Sequence, residues 1–153
     1  MSLRALLAPI LLALALGGAP AAQTAPSPVN VLAGNRLAIH GYDPVAYFVE
    51  GRPRRGRPEF AVEHRGARWL FANEENRGRF RADPERYLPA YGGYCAYGVS
   101  QGYLVKIDPN AWRIVDGRLY LNYDRGVQRT WEKDVPGHVA TANRNWPRLV
   151  PAP

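Results

Sequence analysis

The stretch WRIVDGRLYLNY, residues 112–123, decides the fold because it has the pattern of a β-hairpin. Apolar residues alternate with other residues on both sides of Asp116-Gly117, so every second side chain falls on one face of a strand. Asp-Gly is a preferred pair for the two-residue turn between antiparallel strands, because that turn needs positive φ at both positions. The stretch therefore predicts two short strands joined by this turn.

A second hairpin precedes the first in the chain. FAVEH (residues 60–64) and ARWLF (residues 67–71) both alternate, and Arg65-Gly66 lies between them. Glycine at the second position supplies positive φ without steric cost. No internal repeat is evident in the sequence.

Short helices should surround the two hairpins. Aspartate and asparagine are good N-caps, and proline suits the first helical position. The helix signals are Asp43-Pro44, Asp83-Pro84, Asn73, Asp124 and a last start near Pro136 that stops at Pro147. Asp108-Pro109 predicts only a tight turn. The fold class is therefore α+β, a small single domain with two β-hairpins and several short helices.

The N-terminal residues have the pattern of an export signal. Residues 1–21 combine Arg4, an apolar run and small residues at Ala19-Pro20-Ala21, which predicts a cleavable signal peptide. Residues 22–34 predict a flexible tether, and residues 35–150 the folded domain. We expect a periplasmic or secreted protein with no transmembrane segment in the mature chain.

The charge pattern gives little reason to expect a nucleic-acid partner. The net charge is +7, and the basic residues are scattered apart from one arginine cluster in EGRPRRGRP, residues 50–58. That cluster lies in a Gly/Pro-rich segment without interleaved aromatic residues, which favours a solvated loop.

Cys95 is the single cysteine of the chain, so an intramolecular disulfide is excluded. It follows Gly92-Gly93, which allow a sharp turn. A helix that begins near Tyr94 would place the thiol in its first turn, partly exposed, where the helix dipole lowers the pKa of a thiol. The alternative is a small buried side chain, since free cysteine is among the most buried residue types.

The histidines and tyrosines are weaker candidates. His64 shares a strand face with apolar residues and should face the core, whereas His138 should be solvated. His40 precedes the first helix and could reach a shared pocket. Tyrosines at 91, 94 and 97 would form one stripe on a helix, which favours core packing. No spacing typical of a zinc or haem site occurs.

Four motifs in order carry a resemblance to a known family: GYDPVAYF (41–48), GARWLFANEENRGRFRADPERYLP (66–89), YGGYCA (91–96) and DGRLYLNY (116–123). Together they resemble the exported branch of the YHS-domain family, from about Asn35 to Pro147. YHS domains are similar to metal-handling modules found with heavy-metal transporters and oxygenases. Some relatives in this branch have selenocysteine at the position of Cys95, which implies that the chalcogen there is used chemically.

One departure from the family limits what the resemblance implies. Metal-handling YHS domains have cysteines in a DPVCGM opening and after the hairpin, where this chain has Ala46, Ala72 and Asn76. A metal site in one chain would therefore need Cys95 with other ligands, and His40 and Asp43 are the candidates. Copper or another transition metal is the cofactor that this set would suit.

Three hypotheses remain open from the sequence. The first is a non-catalytic module that binds a metal or another small ligand at Cys95. The second is a thiol redox protein in which Cys95 is oxidised and resolved by a partner protein. The third is a structural or adaptor domain that uses its aromatic surface.

Overall fold

The computed structural model describes residues 26–150; the predicted signal peptide lies outside the described residues. The predicted α+β fold with two antiparallel hairpins is confirmed. The helices and strands are α1 (Ala46–Val49), β1 (Arg57–His64), β2 (Ala67–Phe71), α2 (Glu74–Ala82), α3 (Pro84–Tyr87), α4 (Ala96–Ser100), β3 (Asp108–Val115), β4 (Arg118–Asn122), α5 (Arg125–Trp131) and α6 (Val135–Leu149). None of these helices is long and apolar enough to cross a bilayer.

Both hairpin turns form where the sequence predicts them. Arg65-Gly66 has φ values of 50° and 73°, and Asp116-Gly117 has 49° and 73°. Positive φ at both positions matches the right-handed twist of the flanking strands. In each hairpin a bulge interrupts the strand pairing near the start of the first strand. It lies between Arg57 and Ala61 in β1 and between Asp108 and Trp112 in β3. Asp108-Pro109 therefore belongs to a bulged strand, not to the tight turn that we predicted.

The predicted caps are also present, with one error in extent. Asn73 accepts the backbone N–H of Asn76 at 2.8 Å, and Asp124 accepts that of Val127 at 2.7 Å. The last helix, however, continues through Pro147 to Leu149. Proline has no N–H to donate to the carbonyl four residues earlier, so Pro147 costs the helix one hydrogen bond. Only Arg148 and Leu149 follow it, and the Val150 N–H ends the helix by donating to the Trp146 carbonyl at 3.0 Å.

The structure contains an internal repeat that the sequence does not reveal. Each half has a left-handed 3-10 turn (Ile39–Gly41, Ala90–Gly93), a short helix, a bulged hairpin and an N-capped helix, in that order. Corresponding cross-strand partners are separated by the same number of residues along the chain in both hairpins, as in Ala61↔Leu70 and Trp112↔Leu121. The repeat escapes sequence reasoning because its backbone conformation is kept while most side chains differ.

Part of the segment that we predicted to be a tether packs on the domain. Val29 is buried, and Asn30 donates its backbone N–H to the Gly92 carbonyl at 2.9 Å and its amide to that of Gly93 at 3.1 Å. Tyr94 donates its hydroxyl to the Ser27 carbonyl at 3.1 Å. The ordered domain therefore begins before Asn35.

The Asp43 carboxylate is fully buried and holds the first half together. Its Oδ1 accepts the N–H groups of Val45 and Ala46 at the start of α1, at 2.8 and 3.2 Å. Its Oδ2 accepts the N–H of Ala72 at 2.8 Å and the side-chain amide of Asn76 at 2.7 Å. One carboxylate therefore connects α1, the end of β2 and α2.

Replacing Asp43 with alanine should strongly destabilise the domain. Four donors would lose their acceptor in a buried site, so Asp43→Ala should lower the free energy of unfolding by about 3–5 kcal/mol. Asp134 is a matched control: it is exposed and accepts one N–H, from Gly137, so Asp134→Ala should cost about 1 kcal/mol. Denaturant unfolding measures both losses, and equal losses would contradict this role of Asp43.

Candidate functional site

Cys95 is placed by the left-handed turn of the second half. Tyr91, Gly92 and Gly93 have φ values of 54°, 58° and 80°. At Gly92 a side chain is excluded, because a Cβ there would lie 1.9 Å from the Pro28 carbonyl oxygen. Cys95 then caps α4, and its Sγ accepts the Gly98 N–H at 3.4 Å. A helix does begin beside the thiol, but it starts at Ala96 and not near Tyr94, so Cys95 is the N-cap residue and does not lie in the first turn as we predicted.

The expected exposure of Cys95 is wrong. The residue is 1% exposed, and burial raises the pKa of its thiol, although the backbone N–H groups of Gly98, Tyr123 and Tyr97 oppose this shift. α4 is a short helix, and the end of β4 and the segment at Val105 cover its first turn; the Cys95 N–H donates to the Val105 carbonyl at 3.2 Å. Desolvation thus outweighs the effect of the helix start.

Asn122 fixes the surroundings of the thiol. This β4 residue is fully buried, and its Oδ1 accepts the Tyr97 N–H at 3.2 Å and lies 3.7 Å from Cys95 Sγ. Because a backbone N–H needs an acceptor, the Tyr97 contact sets which way the amide points. Its Nδ2 has no hydrogen-bond partner in the part of the chain that the structure describes.

A small aromatic cavity opens beside the thiol; we call it the Cys95 cavity. Its volume is about 230 Å³, and its lining is Cys95, Tyr97, Gly98, Tyr103, Val105, Tyr123 and Val127. Tyr103 and Tyr123 are 50% and 43% exposed, so both rings also face solvent. Sequence reasoning missed Tyr103, Val105, Tyr123 and Val127 as site residues, because only the fold brings segments 103–105 and 123–127 together beside Cys95.

The repeat explains how this cavity arises. Cys95 occupies the place that Asp43 occupies in the first half, since each lies two residues after the left-handed turn. Val127 occupies the place of Asn76, since each is the third residue after the N-cap of its helix. In the first half the Asn76 amide closes on the carboxylate. A thiol is a shorter side chain than a carboxylate, and valine cannot donate a hydrogen bond. In the second half the cavity lies between these two positions.

His40 and Asp43 do not line the Cys95 cavity. Asp43 is fully engaged as a structural acceptor. Burial lowers the pKa of His40, with the charge of Asp108 opposing this shift and that of Lys106 adding to it, so the imidazole is near the start of β3. Within residues 26–150, no group of three or more His, Cys, Asp or Glu side chains could hold a metal ion.

The other histidines and the tyrosines have packing roles. His64 faces the core as predicted, edge-on to Phe80 with ring centroids 5.7 Å apart. The prediction that His138 is solvated is wrong in part, because its Nδ1 lies 3.3 Å from Ser100 Oγ and its ring packs on Tyr97. The three tyrosines do not form a helical stripe, because Tyr97 alone of the three lies in an α-helix and Tyr91 lies in the left-handed 3-10 turn. Tyr91 and Tyr94 both pack on Trp146.

Comparisons with known proteins add nothing to this geometry: no family model, curated protein or solved structure matches the chain.

The thiol of Cys95 should react slowly in the folded protein. Because burial raises its pKa, iodoacetamide should react more slowly with folded than with denatured protein at pH 7, by about tenfold or more, and with a higher pH midpoint. The control combines Cys95→Ala with Ala33→Cys, which moves the single thiol to an exposed loop position. This control should react equally in both states. Faster reaction of folded wild type would contradict a buried neutral thiol.

Proposed function

We propose that the chain is an exported YHS-family domain that binds a small ligand in the Cys95 cavity without catalysing a reaction. The observation that carries the proposal is the cavity itself, where a neutral thiol lies beside two partly exposed tyrosine rings. The four sequence motifs support the family, and the pattern of residues 1–21 supports export.

The lining favours an uncharged apolar or aromatic ligand. Val105, Val127 and the tyrosine rings supply apolar surface, and burial keeps the thiol protonated. The volume of about 230 Å³ is below the roughly 300–1,000 Å³ of pockets for drug-sized molecules, so it suits a single ring or a short chain. Tyrosine hydroxyls at the entrance could orient a polar end.

Copper or another transition metal has less support as the ligand. A metal needs the thiolate, and the raised pKa of Cys95 opposes ionisation. Since neither His40 nor Asp43 lines the cavity, a second ligand would have to come from a tyrosine or from outside the chain. Cu(I) binding through Cys95 is therefore the weaker form of the same proposal.

Thiol redox chemistry is the second candidate function. The Gly98 N–H donates to Sγ as backbone N–H groups donate to the Asp43 carboxylate in the first half, so it could hold an anionic sulfur oxidation product. With hydrogen peroxide, the thiolate would attack one peroxide oxygen and break the O–O bond. Sulfur would lose two electrons to form a sulfenic acid, and the second oxygen would leave as water after protonation.

Filling the cavity should abolish ligand binding. Toluene is a suitable uncharged probe, and Val127→Phe should weaken its binding by about tenfold or more because the new ring occupies the cavity. Val49→Phe adds the same ring at an exposed valine outside the cavity and should leave binding unchanged. The measurement is a titration that follows the methyl resonances of Val105.

Two further titrations separate the candidate functions. Saturable Cu(I) binding that weakens by about tenfold or more in Cys95→Ser would favour the metal form. Rapid, stoichiometric sulfenic acid formation with hydrogen peroxide would favour redox chemistry. Failure of toluene to bind, or equal binding by Val127→Phe, would refute the apolar-ligand proposal.

A further inference from the structure

A larger cleft lies at the ends of the two hairpins, apart from the Cys95 cavity. Its volume is about 590 Å³, within the roughly 300–1,000 Å³ of typical small-molecule pockets. Both hairpin turns, α3, the turn at Gly92 and the end of α6 contribute to it. We call it the hairpin cleft.

The floor of the hairpin cleft is apolar and its rim is basic. Trp146, Leu88 and Val29 supply apolar surface. Arg65, Arg86 and Arg118 supply three guanidinium groups, against the single carboxylate of Glu85, which pairs with Arg65 at 2.6 Å.

Two of these arginines have no carboxylate partner. Among residues 26–150, neither Arg86 nor Arg118 forms an ion pair, and the Arg86 guanidinium lies 5.8 Å from the centroid of the Tyr87 ring. Both are exposed at the edge of the cleft. Guanidinium groups bind carboxylates with two parallel hydrogen bonds, so two free ones beside an apolar floor favour an anion with an apolar body.

We propose that the hairpin cleft binds a small amphipathic organic anion, a carboxylate with an aliphatic or aromatic body. The carboxylate pairs with Arg86 and Arg118, and the body covers Trp146 and Leu88. This site is independent of the Cys95 cavity, so either proposal can fail alone.

The test compares three probes that share one chain length: decanoate, decanol and decylamine, which is protonated at neutral pH. Calorimetric titration of the full chain should give one site for decanoate, with decanol weaker by about tenfold and decylamine weaker still. Salt should weaken decanoate binding more than decanol binding, because it screens exposed charges. Decanoate should shift the amide resonances of Gly92 and Gly117, which line the cleft.

Matched variants separate the cleft from the overall charge. Arg86→Gln with Arg118→Gln should weaken decanoate by about tenfold, to the level of decanol. Arg81→Gln with Arg129→Gln removes the same charge from exposed sites outside the cleft and should change decanoate affinity less than about twofold. Equal losses in the two double variants, decanol binding as tightly as decanoate, or no saturable decanoate binding would each overturn the proposal.

Discussion

Buried backbone N–H groups need acceptors, and the architecture of each half depends on which side chains meet this requirement. In the first half the acceptor is Asp43, whose two oxygens hold the start of α1, the residue after β2 and the Asn76 amide. The left-handed turn before Asp43 fixes where α1 begins. Without the carboxylate these donors would therefore stay buried and have no acceptor. The first hairpin and its helix are therefore connected through one carboxylate.

The second half meets the same requirement with a weaker acceptor. Cys95 Sγ accepts the Gly98 N–H, and Asn122 Oδ1 takes over the Tyr97 N–H. Sulfur accepts hydrogen bonds weakly, so these two side chains share the work that Asp43 does alone. The exchange of Asn76 for Val127 removes a donor as well. The cavity beside Cys95 is thus a consequence of a repeat whose acceptor position has changed, and this is why we place the function there.

Local signals in the sequence predict much of the fold. The Arg65-Gly66 and Asp116-Gly117 turns and the Asn73 and Asp124 caps depend on neighbouring residues, and all four form as expected. The burial of Cys95 could not be predicted in the same way, because the covering residues come from distant segments. Gly92-Gly93 correctly indicate a sharp turn, but that turn receives the segment at Asn30 and does not expose the thiol.

The most direct test of a buried, neutral Cys95 is the pH dependence of the free energy of unfolding in wild type and Cys95→Ala. Burial raises the thiol pKa in the folded state, so the unfolded chain, with a thiol pKa of about 8.5, loses this proton first. The stabilising contribution is complete below about pH 8.5 and is lost as the pH rises toward the folded pKa, at up to about 1.4 kcal/mol per pH unit. Wild type should therefore lose more stability than Cys95→Ala between about pH 8.5 and 10. The difference between the two curves measures the thiol, because the tyrosines whose pKa is also raised by burial contribute equally to both proteins. Parallel curves for the two proteins, or a wild type that gains stability over this range, would contradict the account.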